Sequence, residues 1–394
     1  MKTSHGHILS NIAILSVTAA VISCAGRISL DTEASEAVDW MTEGKDFSRL
    51  YHVPGANLTP PLTLVWKEKF IAGISSSPLL AGDRLFLPLL NGELVVLSVK
   101  TGKKVARKKL SRGPIFGLTL ADSTIYFGVG QRKTTFKAYD IRKGHYDWQL
   151  ELGPIESAPV VNGRHLYVVS RSRQLYCLNR KDGSVLWQST DGSTVRDAPI
   201  AISGNLVYLD QDGNLIASRM ETGALNWTVT LPPDGRGSPQ KSDTSPAATA
   251  KQIFVTTLSG QLLAYDAGGG ALQWRYDCGS PIYTPPSCDG SLVFAAASSG
   301  TVFCLNAETG TLVWSYDVGS VISTAPVIAG TRLVVTANRG DIILLNSRSG
   351  VELWSDRLQG RIAAAPVIGG SHMVVADDKK TIYLYTATGE ESNQ

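Results

Sequence analysis

A glycine followed four residues later by a tryptophan recurs along this chain at nearly constant intervals, and no other feature limits its folding so tightly. The glycine stands at Gly102, Gly144, Gly183, Gly223, Gly270, Gly310, Gly350 and Gly389, with spacings of 42, 39, 40, 47, 40, 40 and 39 residues. Trp148, Trp187, Trp227, Trp274, Trp314 and Trp354 hold the second position, Ala106 takes it in the first repeat, and the last repeat stops short of it. Four residues before the glycine stand Asp140, Asn179, Asp266, Asn306 and Asn346, and a proline recurs at Pro78, Pro159, Pro199, Pro246, Pro286, Pro326 and Pro366. A period near 40 with one tryptophan per period belongs to an array of like supersecondary units.

Within one period, "APVIAGTRLVVTANRGDIILLNSRSGVELW" (Ala325 to Trp354) reads as four short segments rich in Val, Ile and Leu, parted by "AGT", "NRGD" and "SRSG". These are strands joined by tight turns, with the Asx bonding its own backbone and the Gly taking a positive φ. One such four-stranded sheet cannot bury both faces alone, so neighbours must stack around an axis as propeller blades. A tryptophan in a fixed slot buries ~200 Å² of ring at ~25 cal/mol/Å², at most about 5 kcal/mol, which marks it as a spacer between blades. The last repeat, 362–389, lacks an outer strand, and "LTLVWKEKF" (Leu62 to Phe70) supplies one that carries Trp66. The expected fold class is all-β: an eight-bladed β-propeller of four-stranded antiparallel blades over 61–390, closed by an N-terminal strand, with 391–394 as a tail. Cys177 and Cys304 hold one slot in separate blades, too far apart for a disulfide, whose Cα atoms stand within ~7 Å. Cys278 and Cys288 are expected at opposite ends of one strand, and all four as buried apolar side chains.

The first residues follow a different pattern. Lys2 is followed by a nearly continuous apolar run from Ile12 to Ile22 and by "VISC". That run is too short for a bilayer, which takes ~20 residues, and reads as a secretory signal over 1–23. Ser23 and Cys24 resemble the lipobox of bacterial lipoproteins, which implies that Cys24 is the lipidated first residue of the mature chain. Ala25 in place of Asp implies the outer membrane. Residues 24–60, charged and without the repeat, read as a tether, with a helical turn or two near 34–41 and Trp40 docked on the propeller. A formal net charge of +3 gives no reason to expect a nucleic-acid partner.

A search for chemistry finds little. Neither H-E-x-x-H nor G-x-S-x-G occurs, and His52, His145, His165 and His372 lack ligand spacing. "DQDGN" (Asp210 to Asn214) alternates oxygen ligands as a calcium loop does, but the closing Glu is missing and other repeats fill this place with "ANRGD" or "ASSGT", so it reads as a turn. "KKVARKKLSR" (Lys103 to Arg112) sets six cations in ten residues, as the solvated outer strand of a blade or as a contact to lipid phosphates or an acidic partner. The repeats resemble the tryptophan-docking repeats of quinoprotein dehydrogenases, which hold pyrroloquinoline quinone in an eight-bladed propeller. That family also has an adjacent cysteine pair and carboxylate ligands for calcium, and no Cys-Cys occurs here. Neither catalytic residues nor a metal or cofactor is expected.

The 47-residue spacing marks an insertion, "PPDGRGSPQKSDTSP" (Pro232 to Pro246), and extra loop length in a regular array is where binding concentrates. The lipobox, the eight repeats, the closing strand, "NLIASRMETGALNW" (Asn214 to Trp227) and "SDTSP" together resemble the BamB family of lipoproteins from the outer-membrane β-barrel assembly machinery. The resemblance implies a non-enzymatic scaffold, lipid-anchored in the outer membrane and facing the periplasm. Its implied partner is the POTRA domains of a BamA-like barrel subunit, with unfolded barrel proteins as further candidates. Matched by motif, the partner-binding residues are Val195 and Arg196, before "DAP", and Asp243, in "SDTSP". The chain departs from the family in a shorter loop before Ala198 and in Lys241, where a second Asp is expected. A periplasmic quinoprotein dehydrogenase and a propeller lipoprotein with another envelope partner are the other function classes.

Overall fold

The computed structural model describes residues 40–130, 135–189, 195, 197–235, 237–362 and 364–387. Eight sheets form a ring, seven blades spanning 79–109, 115–150, 160–188, 200–230, 247–277, 287–317 and 327–357 in chain order. Blade 7 shows the plan: Val327–Ala329 is innermost, followed outward by Arg332–Thr336, Asp341–Asn346 and Glu352–Arg357, each antiparallel to the last. Side chains of the two middle strands are almost all buried, whereas the outermost strand alternates between exposed and partly buried, as a sheet with one wet edge must. Blade 8 takes its inner strands from 367–387, and its outermost strand is Leu62–Lys69, paired with Thr381–Ala387 from Leu62↔Ala387 to Lys69↔Thr381. The two ends of the propeller thus share one sheet and leave no open edge.

The tryptophans dock as their spacing predicts. In each outermost strand a bulge precedes the residue, as between Cys304↔Trp314 and Leu305↔Leu312, and tilts the indole toward the next blade. There the ring lies on that blade's turn glycine: a Cβ on Gly310 would stand 2.5 Å from Trp274, and one on Gly102 would stand 2.8 Å from Trp66. In five joints the indole N–H donates to the same turn, as from Trp274 to the Ala307 carbonyl at 2.9 Å and from Trp66 to the Val99 carbonyl at 2.7 Å, whereas the Trp227 N–H has no partner among the described residues. Trp66 is therefore the joint between blades 8 and 1. Between blades 1 and 2, where Ala106 replaces the indole, Tyr139 and Tyr146 meet edge to face at 5.2 Å and fill the gap.

From Trp40 onward the segment read as a tether is part of the propeller. Inner strands of a propeller present unpaired backbone to the central channel, and buried donors of that kind need acceptors. The segment supplies them in a lap of the ring. Trp40 pairs with Leu80 of blade 1 through bonds of 2.8 and 2.9 Å, and the carbonyls of Met41, Phe47, Ser48, Leu50 and Tyr51 accept from Leu120, Ala201, Ala248, Cys288 and Ile328 of blades 2, 4, 5, 6 and 7. His52–Val53 adds a short parallel strand to blade 7, and the Asn57 amide donates to Gly370 of blade 8 at 2.9 Å. Blade 3 is reached by Arg49, whose guanidinium donates to the Ala158 carbonyl at 3.5 Å. Trp40 is 1% exposed and packs edge-on to Tyr51 at 6.2 Å. Met41 is not helical, and residues 34–39 of the expected turn lie outside the described residues.

Cys177, Cys278, Cys288 and Cys304 are buried and unpaired. Cys278 and Cys288 do not share a strand. Cys278 follows the outermost strand of blade 5, Leu272–Asp277, and Cys288 ends the innermost strand of blade 6, Ser287–Cys288, with a loop between them.

Candidate functional site

The upper face of the ring, where each innermost strand begins, holds the candidate site. The channel opens there into a cup of about 600 Å³, to which all eight blades contribute, most of them through residues just before the innermost strand. Its floor is the threaded segment, so the cup is closed below by Glu43 and Tyr51. Six carboxylates line it, those of Glu43, Glu156, Asp197, Asp243, Asp377 and Asp378. Several are occupied. Glu156 pairs with Arg171 at 3.4 Å, and Asp377 accepts from the Thr381 amide at 2.9 Å and the Tyr383 hydroxyl at 3.0 Å.

Arg49 stands under the floor at 3% exposure, with φ of 52°, donating to the Ser245 hydroxyl at 3.2 Å and reaching Glu43 at 3.8 Å. Burial raises the Glu43 carboxyl above its usual range, Arg49 opposes that, and the charge of Asp197 adds to it. Burial also raises the Tyr51 hydroxyl, helped by Glu43 and Asp197 and opposed by Arg49.

The loops entering blades 4 and 5 each bring a carboxylate, Asp197 and Asp243, to the lining of this cup. Asp243 is exposed, on a turn held by buried neighbours: the Ser242 hydroxyl accepts from the Thr244 amide at 3.3 Å, and Thr244 bonds Thr256 at 2.9 Å. Val195, expected among the partner-binding residues, is buried. It is 0% exposed, forms an antiparallel bridge with Asp210 and donates its amide to the Arg173 carbonyl at 3.1 Å. Its side chain enters the core between blades 3 and 4 and supports the loop from beneath. Arg196 and Cys24 lie outside the described residues. Asp210 spends its carboxylate on the amides of Asp212 and Asn214 at 2.9 and 2.7 Å, so "DQDGN" is built as a turn. Sequence reasoning missed Glu43, Arg49 and Tyr51, which carry no repeat, and Asp197, whose place just before Ala-Pro was the available signal.

The family described as outer membrane protein assembly factor BamB matches residues 90–240, 132–278, 221–325 and 318–392. The chain belongs to the BamB family. A BamB from Yersinia pestis is 27% identical over 245 residues, which cover 55% of this chain and 62% of that relative, less than two thirds of its length. Among solved structures, BamB from Moraxella catarrhalis shares the fold with a TM-score of 0.68 at 18% identity, covering 82% of this chain and 99% of that one. The quinohemoprotein alcohol dehydrogenase of Comamonas testosteroni shares it too, with a TM-score of 0.72 at 12% identity over 92% and 82% of the two chains. That second likeness raises the question of a quinone in the channel. Here the chain's own residues from Trp40 to Val53 cross it, the four cysteines are buried away from the cup, and no His, Cys, Asp and Glu among the described residues are grouped to hold a metal. The residues present do not fit that group.

Proposed function

We propose that the chain is a non-enzymatic scaffold lipoprotein of outer-membrane β-barrel assembly, which binds the POTRA domains of a BamA-like barrel subunit through the loops entering blades 4 and 5. Membership of the BamB family over most of the propeller carries this reading. The presence of Asp197 and Asp243 in the lining of one cup supports the location, because the loops entering two neighbouring blades each present a carboxylate there. Arg196, next to Asp197 in sequence, is the cationic anchor, a residue type enriched where interfaces concentrate their binding energy. Asp243 is the charge partner that fixes register and speeds encounter. Unfolded barrel proteins are the clients the scaffold helps to position. Cys24 carries the lipid, and the 16 residues from there to Trp40 reach at most about 55 Å when fully extended, which keeps the propeller near the periplasmic surface of the outer membrane.

The test is affinity capture from detergent-solubilised membranes with wild type, Arg196→Glu and Asp243→Lys. Each substitution should cut recovery of the barrel subunit at least tenfold while leaving the melting temperature within a degree or two of wild type. Full recovery with both variants removes these residues from the interface, and capture of a different envelope complex by wild type overturns the assignment of partner.

A further inference from the structure

The cup holds one polar group that neither the fold nor docking at its rim explains. Tyr51 is 2% exposed and lines the cavity, yet its hydroxyl has no hydrogen-bond partner among the described residues. The backbone there is strained, since φ of 50° places a bulky residue in the left-handed region. Two carboxylates stand near it. Asp197 makes one hydrogen bond, to the Ala198 amide at 2.7 Å, and no ion pair among the described residues. Glu43 has only the distant arm of Arg49, at 3.8 Å, and that guanidinium is committed below to Ser245 and Ala158. The floor therefore combines two carboxylates that have few partners among the described residues with a hydroxyl oxygen free to accept, in a cavity that opens on the upper face. A cation with several N–H donors on an alkyl stem matches all of these at once. It donates charge-assisted bonds to the carboxylates and to the Tyr51 hydroxyl oxygen, and the stem runs along the cup wall.

We propose that the cup binds an alkyl-guanidinium or alkyl-ammonium group between Glu43 and Asp197 and against Tyr51. A volume of about 600 Å³ holds an arginine or lysine side chain together with the peptide that carries it, and holds a free polyamine equally well. The ligand chemistry is the same from either source. This inference shares Asp197 with the proposed docking loops but does not rest on docking of the barrel subunit, because Glu43 and Tyr51 come from the threaded segment.

Isothermal titration of the purified mature protein with spermidine, and separately with a short arginine-containing peptide and its citrulline counterpart, tests it. Wild type should bind the arginine peptide or spermidine and ignore citrulline. Asp197→Asn and Glu43→Gln should each weaken binding about tenfold, and Tyr51→Phe, which keeps the ring, should weaken it about threefold. Glu308→Gln, on the opposite face, should leave it unchanged. Binding of the peptide alone assigns the source as a polypeptide, and binding of both probes assigns a general cation site. No binding of either probe by wild type, equal binding by Asp197→Asn and Tyr51→Phe when both melt as wild type, or an equal loss in Glu308→Gln overturns the proposal.

Discussion

At the scale of the residue, the fold depends on one pairing repeated around the ring, an indole laid on a glycine. Gly310 has φ of 70°, a region that side chains rarely enter, and its missing Cβ is the space the Trp274 ring occupies. Gly310→Ala therefore meets two costs, about 1–2 kcal/mol for the left-handed backbone and about 1–3 kcal/mol for crowding in a packed joint. The expected loss is about 2–5 kcal/mol in chemical denaturation, and a loss below 1 kcal/mol means that the ring moves aside freely. Val195 shows how a residue can be misread at this scale. Its neighbours in sequence are loop residues, but a single bridge to Asp210 turns its side chain inward, and nothing in local order records that bridge.

At the scale of the element, the segment from Trp40 to Asn57 is the surprise. It has no periodicity, and it makes a strand of its own only at His52–Val53. It nevertheless serves as a common partner for the innermost strands, whose amides at Leu120, Ala248, Cys288 and Ile328 it satisfies. Trp40→Ala should cost about 3–5 kcal/mol, as large aromatic truncations in cores do. It should also release hydrogen-exchange protection at those inner-strand amides ahead of amides in the middle strands. Uniform protection with an unchanged denaturation midpoint would show that the segment contributes nothing to the ring. Closure by Leu62–Lys69 is the second device of this kind. It was readable beforehand because the final repeat lacks a tryptophan strand and the N-terminus has one to spare.

At the scale of the whole molecule, the two faces differ in kind. The lower face, where innermost strands end, is made of tight turns, whereas the upper face carries the acidic cup and the longest inter-blade loop. No described helix is long and apolar enough to cross a membrane, and the proposed link to the lipid phase is Cys24. Cys24→Ser should move the protein from the membrane pellet to the soluble periplasmic fraction without changing its melting temperature. Retention in the pellet at high salt would assign membrane attachment to another part of the chain.

Blade number, strand order, the tryptophan joints and ring closure were all legible in residue order, because each is set by a spacing of a few residues repeated many times. Turn chemistry and burial period act locally and agree with one another in every repeat. The cup was not legible. Its floor brings Glu43, Arg49 and Tyr51 beside Asp197 and Ser245 across about 150 to 200 positions of sequence. That meeting exists only once the ring has closed and its inner edges demand partners, so it follows from which backbone groups the assembled blades leave unpaired and not from any pattern along the chain.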